Sequence, residues 1–549
     1  MTLLLPKYMT NFFQNGVFQV PQWPVIAGML LLVIASGAIS ALQNYQLQST
    51  GEDIVRDARL TLSKHLLRLP IREYDQRDSG DLLSRVSNDT SQLRNAFMQC
   101  TSALASGFIT VIGSAVFMAM LDPILFGTAI TLLLTVFTLM LLSAKFIERA
   151  SYDSQYTLGD LTSILNRDLA GIRTIRASNG FENENKVIAA LINRVRLSGL
   201  KIARIQSVIN PLATIALQLA AIIVFGLGLW RVTTGLLSVE KLTQFIMLLF
   251  ISISPLSQII YAGSQIGNSM AAMNRIREIL DIPEEKDHDT VVTTINEHMP
   301  LVHSSPCPPA VEFQHVYFSY GSKPILRDLN LSISQGSVTA LVGPSGAGKS
   351  TILQLIERFY VPSSGNINVL GNDITTCDRD DLRSHIAYVE QDSPALSGSL
   401  RENLLLGSTY RSDDECRQVL ESVNLSHLLD RSDKGLDMQV GENGIMLSGG
   451  ERQRLAIARA LLSTAKIILL DEATANLDAD NEQLVTQLLE QAEDRTFIIV
   501  THQLTTVRNA EMIYVLSNGH VIGEGKHDHL LKTVPLYYML AKNSSLRRP

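Results

Sequence analysis

Uncharged apolar stretches fill much of the first half of the chain, whereas the second half sets short apolar runs in polar sequence. About 20 helical residues at 1.5 Å each cross a roughly 30 Å hydrocarbon core. The first stretch, Trp23–Leu42, meets no charge until Glu52, which predicts a transmembrane helix continuing beyond the bilayer. A polar, helix-patterned excursion follows, with eight Lys/Arg between Gln46 and Thr101; one arm ends near Pro70 and the other returns through Gly80 to Asp89. A second apolar pair, about Ser102–Leu121 and Pro123–Ala144, is joined by little more than Asp122, as in a tight hairpin. Lys145–Arg204 is again polar and basic, and about Val208–Leu229 and Leu242–Ala262 form a third pair. The connections opposite the excursions carry few basic residues, so both excursions are expected in the cytoplasm. Helices of a large soluble core would not combine this length, lack of charge and asymmetry.

Arg275 is the first charge after Lys241, so the last apolar helix should run well past the bilayer. On it Gln258, Tyr261, Gln265 and Asn268 recur at i, i+3, i+7 and i+10, one face of a helix. Polar groups in a membrane helix face a bundle interior or a watery cavity, which makes these four substrate-cavity candidates. Hydrogen bonds between helices account for them equally well. Pro211 and Pro255 are candidate kinks. Pro283–Pro309 has no sustained periodicity and marks a boundary. The expected division is a permease domain over 1–281, a linker over 282–309 and a soluble domain over 310–549.

The soluble half reads as α/β, and its chemistry centres on Gly343–Ser350. Gly343, Pro344, Ser345, Gly346, Ala347, Gly348, Lys349 and Ser350 fit the phosphate-binding pattern G-x-x-x-x-G-K-[ST] at every fixed position. The glycines let backbone N–H groups turn toward phosphates, and the helix that follows adds the positive end of its dipole. Lys349 supplies a charge for the β and γ phosphates, and Ser350 a hydroxyl for Mg²⁺. The run Val338–Val342 supplies the preceding strand that the motif requires. Ile467–Leu470 is a second buried-strand run, and it delivers Asp471 and Glu472 at its C-terminal end, where α/β sheets bind ligands. Asp471 suits Mg²⁺, and Glu472 suits orienting and deprotonating an attacking water. An acidic pair alone is a weak signal; downstream of a phosphate cradle it is a strong one. Leu447-Ser448-Gly449-Gly450-Glu451 precedes a helix running through Ala460, a turn that reads as an N-cap or an anion site.

Composition narrows the function. Net charge is −7, and no basic stripe with interleaved aromatics appears, which argues against nucleic acid as a partner. Mean hydropathy is positive, as membrane segments require. Cys100, Cys307, Cys377 and Cys416 lack paired spacing, which argues against zinc or a disulfide framework. The N-terminus has neither the basic start nor the cleavage site of a signal peptide.

With its Leu447–Glu451 loop the sequence resembles the ATP-binding cassette transporters, whose signature loop is LSGGQ; here Glu451 replaces the glutamine. The resemblance covers nearly all of the chain and is to half-size bacterial multidrug exporters. It implies an all-α polytopic transmembrane domain of exporter type, with long helices extending into the cytoplasm, followed by an α/β P-loop nucleotide-binding domain. It further implies ATP and Mg²⁺ as cofactors. Tyr320 would stack on adenine, Thr351 would join the phosphate contacts, and Gln391 would link Mg²⁺ to the membrane domain. Asp478 lies in the dimer-contacting loop, and His502 is the switch histidine, in Val-Thr-His-Gln-Leu rather than the usual Ala-His-Arg-Leu. Val440-Gly441-Glu442 resembles the exporter element that touches the partner's membrane domain.

One cradle and one signature imply a dimer, and intact motifs favour a homodimer with two competent sites. Pro70–Gly80 and Ala177–Lys186 are the expected coupling segments. The expected location is the plasma (cell inner) membrane, with the nucleotide-binding domain in the cytoplasm. Exporters of this type begin with a cytoplasmic stretch and a full first helix, whereas Met1–Phe13 offers only Leu3–Leu5 and a proline before turning polar. The first span therefore reads as truncated, with a late start assignment as one explanation. The leading expectation is ATP-driven export of hydrophobic or amphipathic compounds. Peptide export or lipid flipping, an importer on the exporter fold, and a non-pumping ATP-gated protein are the alternatives.

Overall fold

The computed structural model describes residues 22–288, 295, 308–407, 411–473, 487, 494–501 and 508–545. Contacts divide the chain into two compact units: one comprises Met1–Thr61 and Ser84–Arg277, the other Leu62–Leu83 and Glu278–Pro549.

The chain begins with long helices. Helix α1 spans Gln22–Leu66, followed by the short α2 (Ile71–Gln76) and α3 (Ser79–Ser84). Next come α4 (Thr90–Ser102) and α5 (Ile109–Leu121), with π-helical turns at Arg85–Asp89 and Ala103–Phe108. Helices α6 (Pro123–Ala170), α7 (Ile172–Ala177), α8 (Phe181–Thr233) and α9 (Val239–Leu280) follow. Helices α1, α6, α8 and α9 have 45, 48, 53 and 42 residues. At 1.5 Å per residue they reach about 60–80 Å, roughly twice a bilayer's hydrocarbon core. Side chains such as Leu31 on α1, Ile112 on α5, Ile222 on α8 and Phe250 on α9 are exposed and apolar, as lipid-facing residues are.

Two of the ion pairs within the first unit are centred on Asp122 and Asp89. Asp122 caps α6 by accepting from the N–H groups of Ile124 and Leu125 (2.9 and 3.0 Å), and Pro123 fits the first turn because it has no N–H to satisfy. Its other oxygen accepts from Arg231 Nε at 2.9 Å, so one buried carboxylate closes the hairpin and fastens it to α8. At Asp89, Arg275 forms a two-pronged pair at 2.9 and 2.6 Å. Met118, Leu125, Val224, Leu242 and Phe245 pack as a core beside the hairpin.

The second unit holds two sheets. Strands β1 (Val311–Tyr320), β2 (Lys323–Ile333), β4 (Ser364–Val369) and β5 (Asn372–Asp373) form an antiparallel sheet in the order β2-β1-β4-β5. The other has six strands in the order β10-β9-β3-β8-β7-β6. These are β3 (Val338–Val342), β6 (Ile386–Val389), β7 (Ile467–Asp471), β8 (Thr496–Val500), β9 (Met512–Ser517) and β10 (His520–Gly525). Five run parallel, and β10 is antiparallel to β9.

The parallel strands read as unbroken apolar runs because both faces are covered. Alternation divides each between two cores: Ala340, Ile468, Leu470 and Ile499 enter one, and Leu341, Ile467, Leu469 and Ile498 the other. Helices α10 (Lys349–Ile356), α11 (Arg379–Ser384), α12 (Leu400–Leu404), α13 (Asp413–Ser422), α14 (His427–Asp430), α15 (Gly449–Leu462), α16 (His527–Thr533) and α17 (Pro535–Ser545) complete the unit. Leu62–Leu83 belongs here through specific bonds. Arg68 O accepts from Glu285 N–H at 2.9 Å, Arg379 and Arg383 both hold the Glu285 carboxylate, and Tyr360 donates to Asp75 on α2.

Candidate functional site

The cradle sits between the end of β3 and the start of α10, and its sequence is explained by crowding. A Cβ on Gly343 would lie 2.3 Å from the carbonyl oxygen of Leu516 on neighbouring β9. Gly348 has φ +100°, and a Cβ there would lie 2.6 Å from Leu326 Cδ2. Only glycine fits both positions. Ala347 anchors the loop in the core, while Pro344, Ser345 and Gly346 are exposed at its tip. Lys349 is buried, and its ammonium donates to the carbonyls of Gly343 and Pro344, each at 3.0 Å. Burial pushes its pKa below the ordinary range, against the pull of Glu472 and Asp471. A cation held this way gains from an arriving polyanion.

Strand β7 brings the carboxylates to the same end. Ser350 Oγ donates to Asp471 Oδ1 at 3.1 Å, and Tyr388 on β6 donates to Oδ2 at 3.3 Å. Burial raises the Asp471 pKa while both hydrogen bonds oppose it, the signature of a carboxylate short of positive charge. Glu472 takes a left-handed backbone, φ +50°, at a cost of about 1 kcal/mol or more for such a residue. Its backbone is pinned on both sides: its N–H donates to Val500 O at 2.9 Å, and its carbonyl accepts from Gln453 Nε2 at 3.0 Å. Its carboxylate accepts from Gln391 Nε2 at 3.1 Å. The hydroxyl of Ser350, the carboxylate of Asp471 and the amide of Gln391 form a hard-oxygen set of the kind Mg²⁺ takes, so the residues fit the ion.

The Ser448 turn begins α15 with a reciprocal cap. Ser448 Oγ accepts from Glu451 N–H at 3.2 Å, and Glu451 Oε2 accepts from Ser448 N–H at 2.8 Å. Leu447 is buried and Ser448 and Gly449 are exposed, so the core anchors the turn and presents its polar edge outward. On β1, Tyr320 packs edge-on against Phe318 and Tyr360, with ring centres 4.8 and 5.0 Å away. The residue itself is partly exposed.

Comparison with known proteins decides the family. Residues 326–475 match the family described as ABC transporter, and residues 1–256 match the ABC transporter transmembrane region. A multidrug resistance ABC transporter ATP-binding and permease protein of Lactococcus lactis subsp. lactis is 31% identical over 542 residues, covering 97% of this chain and 89% of the relative. The chain belongs to the ABC transporters. An ATP-dependent lipid A-core flippase of Yersinia pestis is 28% identical, covering 98% of this chain and 91% of the relative. In fold, this ABC transporter matches a bacterial Atm1-family ABC exporter with ATP bound, at TM-score 0.82 and 24% identity, over 99% of this chain and 97% of the other.

The protein is thus a half-transporter of exporter architecture, an ATPase coupled to transport that drives export. Half-transporters pair, and this one is a multi-pass membrane protein with its nucleotide-binding domain in the cytoplasm.

The structure gathers Lys349, Ser350, Gln391, Asp471 and Glu472 at one sheet end; Tyr320 donates to Gln354 on α10, the helix that follows the cradle, and the Leu447–Glu451 turn stands elsewhere on the same unit. Asp478 and His502 lie outside the described residues, as do the side chains of Tyr261, Gln265 and Asn268. Gln258 is exposed. Two site neighbours were absent from the sequence reading. Tyr388 looks like any strand aromatic until β6 pairs with β7 and sets it beside Leu469. Gln453 looks like any helix glutamine until α15 turns it toward Glu472. In the membrane unit the transporter has an apolar cavity of about 420 Å³, whose lining includes Met118, Ala129, Gln218, Val224, Leu249 and Ser252.

Proposed function

We propose that two copies of this chain form a homodimer that exports hydrophobic or amphipathic compounds by alternating access, powered by ATP hydrolysis. The observation that carries this reading is the double pairing of Ser350 with Asp471 and of Gln391 with Glu472 behind a complete phosphate cradle. In it, the N–H groups of Gly343–Gly348 and the Lys349 ammonium hold the phosphates, with Ser350 and Thr351 at the start of α10. Ser350, Asp471 and Gln391 hold Mg²⁺, which when bound supplies charge neutralisation to the phosphates. Glu472 orients and deprotonates the attacking water, and Gln391 steadies its carboxylate. Tyr320, partly exposed, stacks on adenine. His502 contacts the γ-phosphate, and Asp478 sits in the dimer loop.

One chain holds one cradle and one signature turn, so Leu447, Ser448, Gly449, Gly450 and Glu451 of one copy close over nucleotide held by the other. Closure tighter with ATP than without it shifts the population toward the closed state. The domains are a permease over 1–281, which spans the plasma membrane, a linker over 282–309 and a cytoplasmic cassette over 310–549. The polar row Gln258, Tyr261, Gln265 and Asn268 and the apolar cavity together suit amphipathic molecules. A second reading is lipid flipping, favoured by the cavity's apolar lining and by the name of the Yersinia relative.

The test is ATP-driven uptake of a fluorescent amphipathic dye into inside-out vesicles, comparing the intact chain with Glu472→Gln. Uptake that vanishes in the variant supports export of amphipathic compounds. ATP hydrolysis by the intact chain without uptake moves the substrate toward lipid, checked by flipping of a labelled lipid in the same vesicles.

A further inference from the structure

Glu451 stands where the family's loop has glutamine, and that exchange puts a negative charge at the N-terminus of α15, beside a turn read above as receiving a partner's ATP. An uncompensated carboxylate there would repel phosphate and, being buried, would be costly to ionise. The chain supplies compensation from α14 and the residue after it. His427 Nε2 lies 2.9 Å from Glu451 Oε1, and Arg431 donates to both carboxylate oxygens. Arg431 also reaches the carbonyl of Met446 at 3.5 Å, so one guanidinium spans the segment entering the turn and the helix leaving it. The Glu451 side chain is 8% exposed, whereas Arg431 and His427 are 42% and 49% exposed.

We infer that Arg431 and His427 are positioning residues for the signature turn: the Arg431 guanidinium balances the Glu451 charge and both side chains fix its carboxylate, so that Ser448 presents its hydroxyl and Gly449 its N–H to a phosphate of the partner's nucleotide. Neither residue touches nucleotide. Oε2 of Glu451 accepts from Ser448 N–H, and the Ser448 oxygen accepts from Glu451 N–H; the hydroxyl proton is left free to donate outward. Glutamine could complete the same cap as a neutral side chain and would make little call on these two donors. The requirement for Arg431 and His427 therefore follows from the glutamate, and it rests on the reading that this turn closes over the partner's ATP.

The experiment uses the full chain in lipid nanodiscs and measures the ATPase kcat and KM together with binding of a fluorescent ATP analogue, which reports on the chain's own cradle. Replacing both residues (Arg431→Ala with His427→Ala) should lower kcat about tenfold, as loss of two charge-assisted bonds implies, with analogue affinity within about twofold. Arg431→Lys in place of Arg431→Ala should recover much of the rate. The deciding comparison repeats the double replacement in a Glu451→Gln background, measured against Glu451→Gln itself; there the further loss should stay below about twofold. An equal loss in both backgrounds, a parallel loss of analogue binding, or no loss with Glu451 present would overturn the inference. Failure of the underlying reading looks different: ATPase activity would survive Gly449→Glu, which places a bulky charge on the turn's face, and both proposals would fall.

Discussion

The hydroxyl of Ser350 donates to Oδ1 of Asp471 at 3.1 Å, joining the first turn of α10 to the end of β7 across 121 positions of sequence. The pair brings one neutral and one anionic oxygen to the same point, and burial has already raised the pKa of Asp471. Ser350→Ala should therefore raise the Mg²⁺ concentration for half-maximal ATPase activity by about tenfold or more. Asp471→Asn should cost more, because it removes charge as well as a ligand. A Mg²⁺ titration of ATPase activity checks this, and an unchanged midpoint for both variants would contradict it.

Burial pushes Glu357 up to about 7, with only partial relief from Arg383. The unfolded chain ionises this group near its ordinary 4.5, so the folded state holds the extra proton between these values. Stability from this group is full below about pH 4.5 and declines as pH rises to about 7, where roughly 3 kcal/mol has gone. Glu357→Gln should flatten the pH dependence across that window relative to the parent and stabilise the protein at pH 7.5. Thermal unfolding at several pH values measures it; parallel curves for parent and variant would refute the assignment.

Gly343→Ala sets a methyl 2.3 Å from a backbone carbonyl on β9, an atom that cannot swing away as a side-chain tip could. The variant should lose about 1–3 kcal/mol of stability and bind ATP more weakly, since the strained loop carries the phosphate-facing N–H groups. Melting curves with and without ATP report both effects. A variant that melts and binds like the parent would show that β9 yields there at little cost.

Arg231→Ala strands a buried Asp122 that is 4% exposed and also caps α6. Breaking such a pair from one side costs about 3–5 kcal/mol, and Arg231→Ala with Asp122→Asn should be less damaging than Arg231→Ala alone. Thermostability of the detergent-solubilised chain tests this. A double variant worse than the single one would mean that Asp122 does not depend on Arg231.

Much of this arrangement was readable before any coordinates. The cradle, Asp471 with Glu472, and the strands that carry them are local patterns, and β3 and β7 lie where their apolar runs placed them. The Asp122 hairpin was equally plain, because an Asp-Pro pair between apolar stretches ends one helix and starts the next. What the sequence withheld was pairing at a distance. Arg231 reaches Asp122 from 109 residues away, and Tyr388 joins Asp471 only through the register of β6 on β7. The π-helical turns at Arg85–Asp89 and Ala103–Phe108 have no local composition that sets them apart. Leu62–Leu83 reads as the turn of a helical excursion, yet its Arg68 and Asp75 are committed to the C-terminal unit.

The central claim is that the cradle of one copy is completed by the signature turn of another, and complementation tests it most directly. Lys349→Ala disables a cradle, and Ser448→Arg disables a signature turn; each homodimer should lack ATPase activity. Co-expressed with different affinity tags and purified as the mixed pair, the two leave one intact cradle facing one intact turn. The account predicts that the mixed dimer recovers a substantial part of the parent ATPase rate. A mixed dimer as inactive as either homodimer would contradict it.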